Sequence, residues 1–152
     1  MTAGLPLSLF ASRSSRSFTV RKTLWVLCVA LFAGHELDAV AQSEWRLLYG
    51  LRHLEPMLGQ ELFIALHIPL VAGLIWLAGH PRPGVRRNSR RLLTGFAVVH
   101  AGLHFNLREH PLCLFDSPLS QALIFACGGA GLLCLLLDLS RQRRQTACPR
   151  PD

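Results

Sequence analysis

His35, Glu36 and Asp38 stand at the far end of an apolar run, "LFAGHELDAVAQ", where lipid or a dry core would exclude charge. His67 interrupts a second apolar run, and His100 and His104 a third. On a helix, His35 and Asp38 are three residues apart and share a face with Gln42, while His100 and His104, four apart, share another. Neutral imidazoles with one or two carboxylates are the usual ligands of zinc, iron or manganese, and such pairs on facing helices supply them. The expected ligands of a divalent metal are therefore His35, Asp38, His67, His100 and His104. Glu36 points about 100° away from His35 on a helix. With Glu44 shortly beyond, it is a candidate catalytic base. For any one histidine the rival reading is a packed, hydrogen-bonded residue. For the set, it is a metal-free hydrogen-bonded or proton-relay cluster.

The elements that must position these groups are four apolar blocks, at 23–42, 61–79, 91–107 and 119–139. Each approaches the ~20 residues that cross ~30 Å of hydrocarbon, the third being short. An aspartate at a helix centre costs roughly 2.5–3.5 kcal/mol on insertion scales, so Asp38 is expected to face the bundle interior with a partner. If the first helix enters near Thr23, His35 lies ~18 Å deep, and the other ionisable groups fall in the slab between midplane and outer third. The expected architecture is all-α: an integral membrane four-helix bundle.

The basic residues orient it. Arg13, Arg16, Arg21 and Lys22 precede the first block; Arg82, Arg86, Arg87, Arg90 and Arg91 lie between the second and third; Arg141, Arg143, Arg144 and Arg150 follow the fourth. These thirteen contrast with three, Arg46, Arg52 and Arg108, in the other two connections. The asymmetry predicts both termini in the cytoplasm of a bacterial inner membrane. A net charge of +7 borne in connections, without interleaved aromatics, argues against nucleic acid as a partner. The partners expected are the lipid bilayer and a lipid-like small molecule, with homo-oligomerisation left open. Residues 1–22 read as a disordered basic leader and 140–152 as a basic tail. A signal-peptidase site at "AVAQ" and an organellar transit peptide are weaker readings of the N-terminus. The five cysteines include no CxxC and form no disulfide framework.

The order "HELDA…EWR", "HIPL", "HAGLH…HP" resembles an uncharacterised family of small bacterial four-helix membrane proteins. The resemblance covers roughly 24–139, at His35, Glu36, Asp38, Glu44, Trp45, Arg46, His67, Pro69, His100, His104, His110 and Pro111. It implies fold and topology but no activity.

Among supporting features, Trp45 and Tyr49 read as interfacial belt residues, and Pro69 as a kink that frees the Ala65 carbonyl. Ala122, Ala126 and Ala130, with Gly128, Gly129 and Gly131, read as a small-residue packing surface. The functional expectation is a membrane protein with a buried His/carboxylate site that binds a metal and acts on a membrane-soluble substrate. The alternatives are a proton-relay or transport module, and a structural subunit with a polar packing cluster.

Overall fold

A computed structural model describes the backbone of residues 8–147 and the side chains of 19–143. The described chain is four helices without a strand: α1 (Ser8–Ala41), α2 (Pro56–Ala78), α3 (Pro83–Leu107) and α4 (Pro118–Ala147), with a short 3-10 helix at Glu44–Leu47. Local chemistry marks the boundaries. Proline occupies the first position of α2, α3 and α4, where its missing N–H costs nothing. The Glu55 carboxylate accepts the Leu58 N–H at 3.1 Å, and the Ser117 hydroxyl accepts the Ser120 N–H at 3.0 Å. α2 ends before Gly79, two residues short of Pro81.

One expectation about the ends changes: α1 begins at Ser8, so the segment read as a disordered leader is helical from there on. α4 continues into the basic tail as far as Ala147. Residues 1–7 and 148–152, with Arg150 and Cys148, lie outside the described residues.

The expected spans also change. Among the described residues three stretches are long and apolar enough to cross a membrane: Thr19–Ala41, Pro56–Ala78 and Pro118–Arg143. α3 is not, because Arg86, Arg87, Arg90 and Arg91 occupy its first turns. Its apolar remainder, 92–107, covers only ~24 Å at ~1.5 Å per residue. Large apolar side chains such as Leu37, Ile68, Trp76 and Leu92 are outward and exposed, a surface suited to lipid rather than water.

α4 is the hub, packed along both α1 and α3, while α2 lies outside, mainly against α3, and buries only Gly59 and Phe63. α1 and α3 run parallel and α4 antiparallel to both: Arg21 and Arg91 meet Asp138 at one end, while His35 and His104 meet Phe115 at the other. The close face of α4 differs from the expected alanine row, since Ala122 and Ala126 are exposed. Ala130, Gly128 and Gly131 of the expected surface do pack, and the two glycines admit α3, an added Cβ meeting Ala101 Cβ and the Thr94 carbonyl oxygen, each at 2.6 Å. One core cluster, Cys28, Ala97, Cys127 and Ala130, fills the middle; a second, Ala39, Trp45, Phe63, Phe115 and Ile124, fills the histidine end.

Candidate metal centre

The geometry of this end starts with a chain reversal. Had α1 continued, Glu44 would lie ~13 Å beyond His35 along the axis. Ser43 instead adopts φ 56°, a left-handed conformation uncommon for a residue with a Cβ. The following 3-10 helix folds back over the end of α1 and brings Glu44 Oε2 to 3.5 Å from His35 Nε2. Trp45 anchors this turn against α2, where an added Cβ at Gly59 would meet its ring at 2.8 Å. Trp45 is thus a core residue, 5 % exposed, and not the belt residue expected; Tyr49 is exposed and stacks with Arg52, 4.5 Å from guanidinium to ring. Since strain at a single position costs on the order of 1–3 kcal/mol, Ser43→Val should destabilise the protein by about that much and release Glu44. Ser43→Gly should be neutral or stabilising. Thermal unfolding of both variants checks this.

α1 and α3 supply the other candidate donor atoms. His35 Nε2 lies 2.8 Å from His100 Nε2, which lies 3.2 Å from His104 Nε2. Glu44 Oε1 stands 3.6 Å from His100 Nε2 and 3.7 Å from His104 Nε2. One atom from each of the four residues falls within 4.8 Å of all the others. Ligand bonds of ~2.0–2.1 Å in a tetrahedron separate neighbouring ligand atoms by about 3.3–3.4 Å. The two ring-nitrogen separations, 2.8 and 3.2 Å, and the approaches of the two Glu44 oxygens to the rings, 3.5–3.7 Å, lie on either side of that value, and the whole group falls within 4.8 Å.

Proton accounting favours the same conclusion. A ring nitrogen carries either a proton or one lone pair, never both. His100 Nε2, facing two other Nε2 atoms, therefore cannot satisfy both in any tautomer by hydrogen bonding alone. A cation accepts all three lone pairs at once. Burial would raise the Glu44 carboxyl, but the imidazoles of His104, His100 and His35 outweigh it and hold the group below the usual carboxylate range. Glu44 is thus an anionic donor at neutral pH. Aromatic rings wall the cluster: Phe115, 1 % exposed, has its ring 4.6 Å from His104, and Phe96 stacks on His100 at 5.2 Å.

His35, His100 and His104 come together, and Glu44, considered a base, joins them. Asp38 and His67, considered ligands, are not in this group. Asp38 Oδ1 accepts from Gln42 Nε2 at 3.1 Å, and its Oδ2 is buried without a partner. His67 pairs instead with Glu36, the other candidate base, Nε2 to Oε2 at 2.7 Å. Its Nδ1 lies 2.6 Å from the Phe63 carbonyl oxygen, which only accepts, so Nδ1 carries a proton. A second proton must then lie between Nε2 and Glu36, whichever partner holds it. A ring engaged at both nitrogens has no lone pair left for a metal. α2 runs on through Pro69 as one helix. His110 Nδ1 accepts the Leu112 N–H at 3.2 Å in the following loop. Phe115 was invisible to ligand-type reasoning; it is an apolar residue in a loop, and only the fold brings it to the histidines.

A search of curated proteins and one of solved structures find no match to the chain. A family model does match, over residues 21–141, which is most of the chain and includes the whole histidine cluster. The chain belongs to the family of unknown function DUF6713.

Proposed function

We propose that this protein is a membrane metalloprotein whose centre is formed by His35, Glu44, His100 and His104. The observation that carries the reading is the convergence of three imidazole nitrogens and one carboxylate within 4.8 Å from three separate chain segments. Three nitrogens and one oxygen suit zinc, iron or manganese. The ion would neutralise Glu44 and act as a Lewis acid towards a bound substrate. The Glu36–His67 pair is half-buried, its side chains 20 % and 25 % exposed, on a surface otherwise suited to lipid. It shares a proton across 2.7 Å and can give or take one beside the centre. A membrane-dissolved substrate is the class that this access fits. The histidine end and the arginine-rich end are opposite, and the thirteen-to-three charge asymmetry supports four crossings, the short apolar part of α3 passing parallel to α1, with both termini in the cytoplasm and the centre towards the outer leaflet. A second reading, a metal-free proton relay, has one specific observation in its favour, the same Glu36–His67 pair.

Purified full-length protein in detergent, assayed for metal by mass spectrometry, separates the two. Stoichiometric zinc, iron or manganese supports the centre; a folded, metal-free protein that takes up none of the three rejects it.

The outer shell makes a further expectation. His35 Nδ1 and His104 Nδ1 are buried without partners, so a metal on Nε2 leaves each as an unsatisfied N–H donor. Asp38, three residues from His35 on the same face of α1, holds an equally unpartnered buried oxygen. In the loaded protein Asp38 is the acceptor for His35 Nδ1–H. It acts as a positioning residue, and Asp38→Asn should weaken metal binding by about 10–100-fold. Competition titration against a chelator measures this. An unchanged affinity would remove Asp38 from the centre altogether.

A further inference from the structure

At the end opposite the histidines, α1, α3 and α4 converge on one carboxylate. Asp138 Oδ1 lies 3.5 Å from Arg21 Nη1, and Asp138 Oδ2 lies 3.0 Å from Arg91 Nε. Two adjoining clefts, of about 410 and 280 Å³, open around this knot and share Arg21, Arg90, Arg91 and Asp138. Lys22 adds its charge to the first, and Arg86, Arg87 and Arg141 add theirs to the second. Seven cations therefore face one acid, and that acid is already engaged by two of them. Like charges gathered this closely repel unless an anion sits among them.

The arginines are also held in place. Arg86 Nη1 donates to the His80 carbonyl at 3.0 Å, and Arg90 Nε donates to the Ala78 carbonyl at 3.2 Å, both just past or at the end of α2. The Arg90 guanidinium lies 5.2 Å over the Trp25 ring. Arginine is the side chain best suited to bidentate recognition of phosphate.

One edge of the first cleft is apolar. Trp25 and Val26 line it, and Val26 is 56 % exposed. A free phosphate would use the cations and leave this edge idle. A phospholipid would use both, its headgroup among the arginines and its acyl chains along Trp25 and Val26.

We propose that this double cleft binds the phosphate of an anionic phospholipid headgroup at the arginine-rich end of the bundle. The proposal rests on the membrane reading of the helices and is independent of the metal centre. A basic pocket between helices at the cytoplasmic side is the usual form of such a site.

Lys22 and Arg87 are exposed, and neither is paired with a described residue, so glutamine at both positions should leave the fold intact. The full chain, in neutral detergent, is titrated with phosphatidylglycerol, phosphatidylcholine and inorganic phosphate, and native mass spectrometry and thermal unfolding read the binding. Phosphatidylglycerol should be retained and stabilising, and phosphatidylcholine much less so. Loss of two interfacial cations should weaken phosphatidylglycerol binding roughly 30-fold in the Lys22→Gln/Arg87→Gln variant. Arg52→Gln, in the loop between α1 and α2, should change nothing. Equal retention of the two lipids, or an unaltered double variant, overturns the site. Equal stabilisation by inorganic phosphate alone overturns the lipid as the source of the anion.

Discussion

Replacing His104 by alanine should abolish stoichiometric metal binding, with affinity falling by more than ~100-fold. Loss of a partner outside the ligands already costs about 10–100-fold, and a ligand costs more. His104 is 4 % exposed, with its Nε2 3.2 Å from that of His100 and 3.7 Å from Glu44 Oε1. No other side chain fills its place, because Phe115 closes that side of the cluster. The substitution also removes a buried ring, so the metal-free protein should itself unfold at a lower temperature. Chelator separates the two effects. Metal at 100 times its dissociation constant should stabilise the unsubstituted protein by about 2.7 kcal/mol and the variant by almost nothing. His35→Ala should behave alike, since His35 is 1 % exposed and faces both Glu44 and His100. Unfolding curves with and without chelator, together with metal analysis, make the comparison. A variant that keeps its metal would remove that histidine from the centre.

The second large effect is expected far from any ligand. Gly131→Ala should destabilise the bundle by about 1–3 kcal/mol and weaken the metal centre with it. The added Cβ meets the Thr94 carbonyl oxygen at 2.6 Å, and a backbone atom cannot swing aside as a side-chain tip can. α3 must then move off α4, and α3 carries both His100 and His104. Gly129 provides the control, because a Cβ there meets nothing within 4 Å. Gly129→Ala removes a flexible residue from a helix interior and should be neutral or mildly stabilising. If both substitutions proved equally harmless, the close α3–α4 contact would not be what holds the histidines together.

How much of this was legible beforehand depended on the range of the interaction. Four helices, their proline and glycine boundaries and the charge asymmetry follow from patterns within a few residues, and a single chain displays them. The histidine pair on α3 was legible for the same reason, since a four-residue spacing on one helix needs no tertiary knowledge. Glu44 was visible as a functional candidate but not as a neighbour of His35. Its place depends on Ser43 taking a left-handed turn, and serine carries no glycine-like signal for that. The position of His67 along its helix says nothing of the direction of its ring, and that direction is taken by Glu36. Asp38 shares a face with His35 as the spacing implied, yet the hydrogen bond it accepts comes from Gln42 one turn further on. α3 has too short an apolar run to stand out as a span by itself, because four arginines occupy its first turns. Trp45 shows the opposite error: aromatic chemistry suggested an interface, whereas Gly59 leaves a seat for its ring in the core.

X-ray absorption spectroscopy of the metal-loaded protein reads the ligand set itself. Three imidazole nitrogens and one carboxylate oxygen at ~2.0–2.2 Å are predicted, with one fewer imidazole in the His104→Ala protein forced to bind at high metal concentration. A first shell containing sulfur, or one of oxygens without imidazole, would contradict the account.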